Sequence, residues 1–160
     1  MDAKTVFARL AGALMIVAAA SATAAAQDTW LWPTISKEEL DLKDCPQQPG
    51  APAIYLMREE VEDLEKLESR IFRRIKILTE AGRDRANIEI PFLKGVTKIV
   101  GIEARVFHPS AAAPRVFDGK VFEKTAFRTR RARMTVKTFA LPDVGVGCII
   151  EYRYKVAWDS

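Results

Sequence analysis

Val146-Gly147-Cys148-Ile149-Ile150-Glu151-Tyr152-Arg153-Tyr154-Lys155-Val156-Ala157-Trp158 is the stretch whose pattern decides the fold. Val146, Cys148, Ile150, Tyr152, Tyr154, Val156 and Trp158 take every second position, and Glu151, Arg153 and Lys155 fall between them. Successive side chains of a strand point to opposite faces, so this period of two predicts a strand with one buried and one wet face. The device recurs upstream. Val96, Val100, Ile102, Ala104 and Val106 oppose Thr97, Glu103 and Arg105, and Ile88, Ile90 and Phe92 alternate with Glu89 and Pro91. Pro91 has no N–H for a ladder, which suits an edge strand or a strand end. Val116 to Phe127 and Met134 to Leu141 are rich in β-branched and aromatic residues, with turn signals at Asp118-Gly119 and Pro142-Asp143. Short strands with turns between them predict an all-β fold, an antiparallel sandwich or an open barrel.

One segment resists this reading. Met57, Val61, Leu64, Ile71, Ile75 and Leu78 recur at helical spacing, and Glu62 and Lys66 are four apart as on a helix face. The competing arrangement is a hairpin: a strand Ala53 to Val61, a charged connection, then a strand Ile71 to Leu78. Propensity favours the hairpin and periodicity the helix, so pattern alone leaves both open.

Towards the N-terminus the character changes. Lys4 and Arg9 precede an apolar run from Leu10 to Ala20, and Ala24-Ala25-Ala26 stands before Gln27. This is the layout of a signal peptide cleaved near Ala26/Gln27, too short in its apolar part for a membrane span. It predicts a periplasmic or secreted protein with residues 1–26 removed. Residues 27–52 read as an extended Pro-rich arm, and residues 53–160 as the β domain. Within the arm, Ser36-Lys37-Glu38-Glu39 has the capping-box pattern of a helix start, while Pro46, Pro49 and Pro52 forbid a long helix. The composition, 49% apolar and 29% charged, is that of a globular chain, which excludes wholesale disorder. One His and two Cys exclude zinc fingers, multi-His metal centres and a dense disulfide scaffold.

Several separate segments carry a resemblance. They are Arg73-Arg74-Ile75-Lys76-Ile77-Leu78-Thr79-Glu80-Ala81-Gly82-Arg83, Ile88-Glu89-Ile90-Pro91-Phe92, Phe122-Glu123-Lys124, and Phe139-Ala140-Leu141-Pro142-Asp143-Val144-Gly145-Val146-Gly147-Cys148-Ile149-Ile150-Glu151-Tyr152. From about Ala53 onward the chain resembles the bacterial domain of unknown function 3857, which precedes transglutaminase-like domains in exported proteins. The resemblance implies a β-sandwich-like domain, which tips Met57 to Leu78 to a hairpin with its turn or short helix near Leu64 to Ser69. It implies an exported setting and no established chemistry. Two departures stand out. Ser110-Ala111-Ala112-Ala113-Pro114 replaces an expected Asp-Gly turn after His108-Pro109. The family domain also continues past Tyr152-Arg153-Tyr154, so the chain looks like the front part of a longer protein, incomplete at its C-terminus. That implies an unpaired edge beside Val146 to Trp158, and self-association through it.

Candidate chemistry is thin. A transglutaminase-like site needs a Cys nucleophile, a His base and an orienting Asp. Cys148 and His108 are the pair available to the strand cysteine, yet Cys148 lies on an apolar strand face, where a thiol is inert. Glu59, Glu60, Glu62, Asp63, Glu65 and Glu68 lack the glycine-turned ligand loop of a cation site and read as a solvated charged turn. Gly145 and Gly147 lack the Lys-Ser/Thr and helix of a phosphate loop and read as a turn with close backbone approach. The expectation is no catalytic, cofactor or metal site. Cys45 and Cys148 in an exported chain invite a disulfide, against which stand the core position of Cys148 and the Pro-rich setting of Cys45. Arg128, Arg130, Arg131 and Arg133 crowd together. Exported proteins rarely meet nucleic acid, so anionic glycans or lipid head groups are the partners such a patch suits, and a solvated loop is the alternative. Two functional readings remain: a non-catalytic module meeting a partner domain, peptide or envelope glycan, and the front part of a transglutaminase-like enzyme whose catalytic core lies elsewhere.

Overall fold

The computed structural model describes residues 30–130 and 133–158; the expected signal peptide lies outside the described residues. Met1–Pro33 and Thr34–Ser160 are separate compact units, and of the first, residues 30–33 carry no helix or strand. The second unit holds a short helix α1 (Lys37–Asp41), then strands β1 (Ala53–Asp63) and β2 (Glu68–Ile77), and a 3-10 segment Glu80–Ala86. It continues through β3 (Asn87–Leu93), β4 (Thr97–Phe107), β5 (Arg115–Val116), β6 (Phe122–Arg128), β7 (Arg133–Ala140) and β8 (Ile149–Trp158). These strands form two antiparallel sheets, a five-stranded one in the order β1-β2-β8-β4-β5 and a three-stranded one in the order β3-β7-β6. The fold is the expected all-β sandwich-like one.

Ile75, Ile77, Ala104, Val106 and Ile150 of the large sheet share one core cluster with Ile88, Ile90, Phe92 and Phe139 of the small one. The alternation read in β3 is strict, with Ile88, Ile90 and Phe92 buried and their neighbours exposed. β3 is an edge strand, as Pro91 requires. In β4 the pattern slips. Gly101 has a φ of 62° and the register shifts between Val100 and Glu103, so Ile99 rather than Val100 enters the core. One extra residue in a strand reverses the parity of everything before it.

Met57 to Leu78 is a hairpin. β1 and β2 pair from Ala53↔Ile77 to Asp63↔Glu68, and Leu67 closes the turn at a φ of 49°. Asp63 accepts the Lys66 N–H at 3.0 Å, a bond that lowers its carboxyl pKa below the ordinary value. The helical periodicity misled because β1 is an edge strand: Val61 and Leu64 face solvent. Lys66 pairs with Asp63 rather than Glu62.

Two expectations about β8 are corrected. Its edges are not free, since β2 and β4 flank it along its length, so self-association through this strand loses its basis. Nor is its charged face wet. Glu151 is 0% exposed and Arg153 9%. Arg74, Glu151 and Arg105 are in register across β2, β8 and β4. Glu151 takes Arg74 through Nε at 2.7 Å and Nη2 at 2.6 Å, and takes Arg105 on its other oxygen. One row further, Arg153 donates to Glu103 at 2.7 Å.

Residues 34–52 strap this face. Ser36 and Glu39 form the predicted capping box of α1. Glu39 then receives Arg74 Nη1 on both oxygens, at 3.0 and 2.9 Å, and Lys76 Nζ donates to the Leu40 carbonyl at 2.7 Å. Burial, together with the nearby Lys43 charge, lowers the Lys76 pKa. Further along, Cys45 and Ala51 pack on Leu78.

Candidate functional site

The sequence-derived candidates scatter. Arg128 and Arg130 are exposed at the tip of the β6–β7 hairpin and Arg133 is half-buried, while Arg131 lies outside the described residues. The acidic run meets basic neighbours: Glu60 with Arg73, Glu68 with Lys155, Asp63 with Lys66. Cys45 and Cys148 are both free and buried in different clusters, so the structure does not join them. The Cys45 thiol lies 3.5 Å from Gln47 Oε1.

Cys148 and His108 do come together, with Sγ 3.4 Å from Nδ1. The thiol also accepts the Gly145 N–H at 3.4 Å and is 2% exposed. Beside the pair, a cavity of about 160 Å³ is lined by Leu42, Ile77, Pro109 and Gly147 among others. Gly147 has a φ of 86°, and a Cβ there would stand 2.9 Å from Pro109 Cγ, which is the close approach its sequence context implied.

A more open arrangement lies around the 3-10 segment. Leu78 and Thr79 both donate to the Pro52 carbonyl, at 3.0 and 3.1 Å, and Gly82 packs against that same carbonyl. This pins Glu80–Ala86 beside the start of β3 and leaves its charged residues exposed. Two cavities flank it, sharing Asp84 and Asn87 as lining residues. One, of about 410 Å³, adds Glu80, Arg83, Leu141 and Asp143; the other, of about 300 Å³, adds Tyr55, Ile75, Arg85, Glu89 and Tyr152. Both are of small-ligand size.

The aromatic wall comes from the inner face of β1 and β8. Tyr55 is 41% exposed with the Arg58 guanidinium 5.1 Å from its ring centroid, and Tyr152 stacks on Tyr154 at 6.4 Å. Burial, and then the neighbouring Tyr55 and Tyr154 hydroxyls, push the Tyr152 phenol up to about 12. It therefore stays a neutral hydroxyl, both donor and acceptor, across physiological pH. Asp84, Arg85 and Asn87 make no side-chain hydrogen bond or ion pair to another described residue. Acceptors, donors and an amide thus meet two phenol rings in one groove, a set suited to holding a polar ligand.

Against known proteins, residues 66–159, more than half of the chain, match the family described as a domain of unknown function with a solved structure, DUF3857. The chain belongs to this family. The DUF3857 match takes in β2 to β8, with Asp84, Arg85, Asn87 and Tyr152, while Tyr55 and the strap fall outside it. No curated protein matches the chain at a significant level. A solved structure of a candidate protease from Parabacteroides distasonis ATCC 8503 is similar at 11% identity and a TM-score of 0.49, over 57% of this chain and 19% of that one.

Sequence reasoning missed the groove. The only signal was the polar run Asp84-Arg85-Ala86-Asn87, wedged between apolar Leu78 and Ile88 with no periodic partner of its own.

Proposed function

We propose that this DUF3857 chain is an exported, non-catalytic recognition module that binds a polar ligand of the cell envelope in the groove beside the 3-10 segment. The carrying observation is the convergence of Asp84, Arg85 and Asn87, whose side chains engage no other described residue, with the Tyr55 and Tyr152 rings. Exposed polar groups gathered in a concave site beside aromatic rings suit an external ligand. Export is supported by the Lys4/Arg9, Leu10–Ala20 and Ala24–Ala26 layout, and an intact mass beginning at Gln27 on periplasmic protein tests it.

Co-sedimentation of the purified chain with envelope sacculi tests the recognition reading. The chain should pellet with sacculi, and the Asp84→Ala/Asn87→Ala variant should stay in the supernatant. Equal pelleting of both, or of neither, contradicts it.

A second reading has its own observation. β6 is exposed throughout, with Phe122 62% and Phe127 53% exposed, and the two stand opposite Thr138 and Met134 of β7, so they share one face. Apolar residues gathered on one surface suit contact with a neighbouring domain, as in the front part of a transglutaminase-like enzyme. Association with such a domain should then fall with Phe122→Ser/Phe127→Ser and not with the groove variant.

A further inference from the structure

We propose that the groove binds an uncharged carbohydrate chain, an inference that rests on the recognition reading above. A sugar ring has a flat C–H face and a rim of hydroxyls. It therefore needs an apolar plate and, beside it, donors and acceptors with free capacity. Tyr55 and Tyr152 offer rings with polar tips, the usual amphipathic contact of tyrosine. Asp84 brings two acceptor oxygens, Arg85 a fork of donors, and Asn87 both kinds. Hydroxyls hydrogen-bond in both directions, so a mixed set of this kind fits them better than a single-sign cluster.

Charge decides what kind of carbohydrate. Glu80 is paired with Arg83 at 3.0 Å, Glu89 with Lys124, and Asp143 with Arg115. Asp84 and Arg85 remain, adjacent and of opposite sign. Arg58, over the Tyr55 ring, adds a single positive charge rather than a basic cluster, so charge gives an anionic polymer little advantage there over a neutral one. This separates it from the arginines at the β6–β7 tip.

Geometry decides length. Two separate cavities that share Asp84 and Asn87 as lining residues lie side by side, and neighbouring subsites suit consecutive residues of a chain. An extended peptide is the rival occupant. It would have to add to a strand edge, and the nearby edges are poor for that. Pro91 removes a donor from the middle of β3, and the β1–β2 register shifts between Tyr55 and Met57. Recognition by side chains alone suits the sugar.

An amide-resolved NMR titration of the purified full chain tests this with three probes: the trisaccharide of N-acetylglucosamine, tri-galacturonate, and an uncharged hexapeptide. The expected result is saturable shifts at residues 80–89 and around Tyr55 and Tyr152 with the first probe. Tri-galacturonate should bind no more tightly, and the hexapeptide should leave the groove unmoved. Asp84→Ala/Asn87→Ala, two exposed positions, should weaken trisaccharide binding at least tenfold with an unchanged melting temperature. Tighter galacturonate binding overturns the uncharged assignment. Peptide binding without sugar binding, or no binding of any probe, overturns the carbohydrate assignment. Recognition itself survives either result if the chain still pellets with sacculi through Asp84 and Asn87, and fails with it if not.

Discussion

Replacing Glu151 by Ala removes the carboxylate on which Arg74 and Arg105 converge across three strands. Glu151 is 0% exposed and the Arg74 side chain 1%, so the lost oxygens are not replaced by bulk solvent. Three charge-assisted bonds disappear, from Arg74 Nε and Nη2 and from Arg105 Nε. Breaking a buried pair from one side costs about 3–5 kcal/mol, chiefly through the charge left behind. Arg74 keeps Glu39, which places the expected loss nearer 3 than 5 kcal/mol on that same scale. Set against a domain stability of roughly 5–15 kcal/mol, the effect is large. Glu39→Ala removes a partly exposed partner and half of a capping box, worth about 1–2 kcal/mol together. Urea unfolding of both variants measures the difference through the midpoint at unchanged slope. Because the row is buried, the Glu151→Ala loss should persist in 1 M salt. A loss below about 1 kcal/mol, or one erased by salt, would refute the buried ladder and with it the tight strap over this face.

Gly82→Ala should lower stability by about 2–4 kcal/mol, read as a fall in melting temperature. Its Cβ would stand 2.0 Å from the Pro52 oxygen, which cannot retreat without losing the Leu78 and Thr79 N–H bonds; a wild-type melt contradicts this. Tyr152 should ionise near pH 12 in an ultraviolet titration. The unfolded phenol loses its proton near 10 while the folded one keeps it, so this contribution to stability is whole below pH 10 and lost as pH rises through 12. A Tyr152→Phe variant whose alkaline stability profile matches the wild type would show that Tyr152 is not the group. Alkylation in denaturant without reductant should label both Cys45 and Cys148; an unlabelled pair in the mass spectrum would mean that they are bridged.

Local pattern was enough for whatever depends on neighbours in sequence. The alternation in β3 and β8, the Ser36/Glu39 capping box and the turn at Gly147 all rest on residues a few positions apart. The face of β8 shows where such reading stops. Glu151 and Arg153 alternate with apolar residues just as solvent-facing residues do, and their burial depends on Arg74, 77 positions away, and on a strap further still. In β4 a single glycine changed the parity, a shift that composition does not reveal. The groove was illegible for the same reason. Asp84 and Asn87 read as loop residues until the hairpin and the central strand bring Tyr55 and Tyr152 beside them.

The most direct test of recognition through this groove is amide hydrogen exchange on the full chain, with and without solubilised sacculus glycan. Slowed exchange at residues 80–89 and around Tyr55 and Tyr152 is the predicted result. Protection confined to the arginine-bearing β6–β7 tip or to the β6 surface would contradict it.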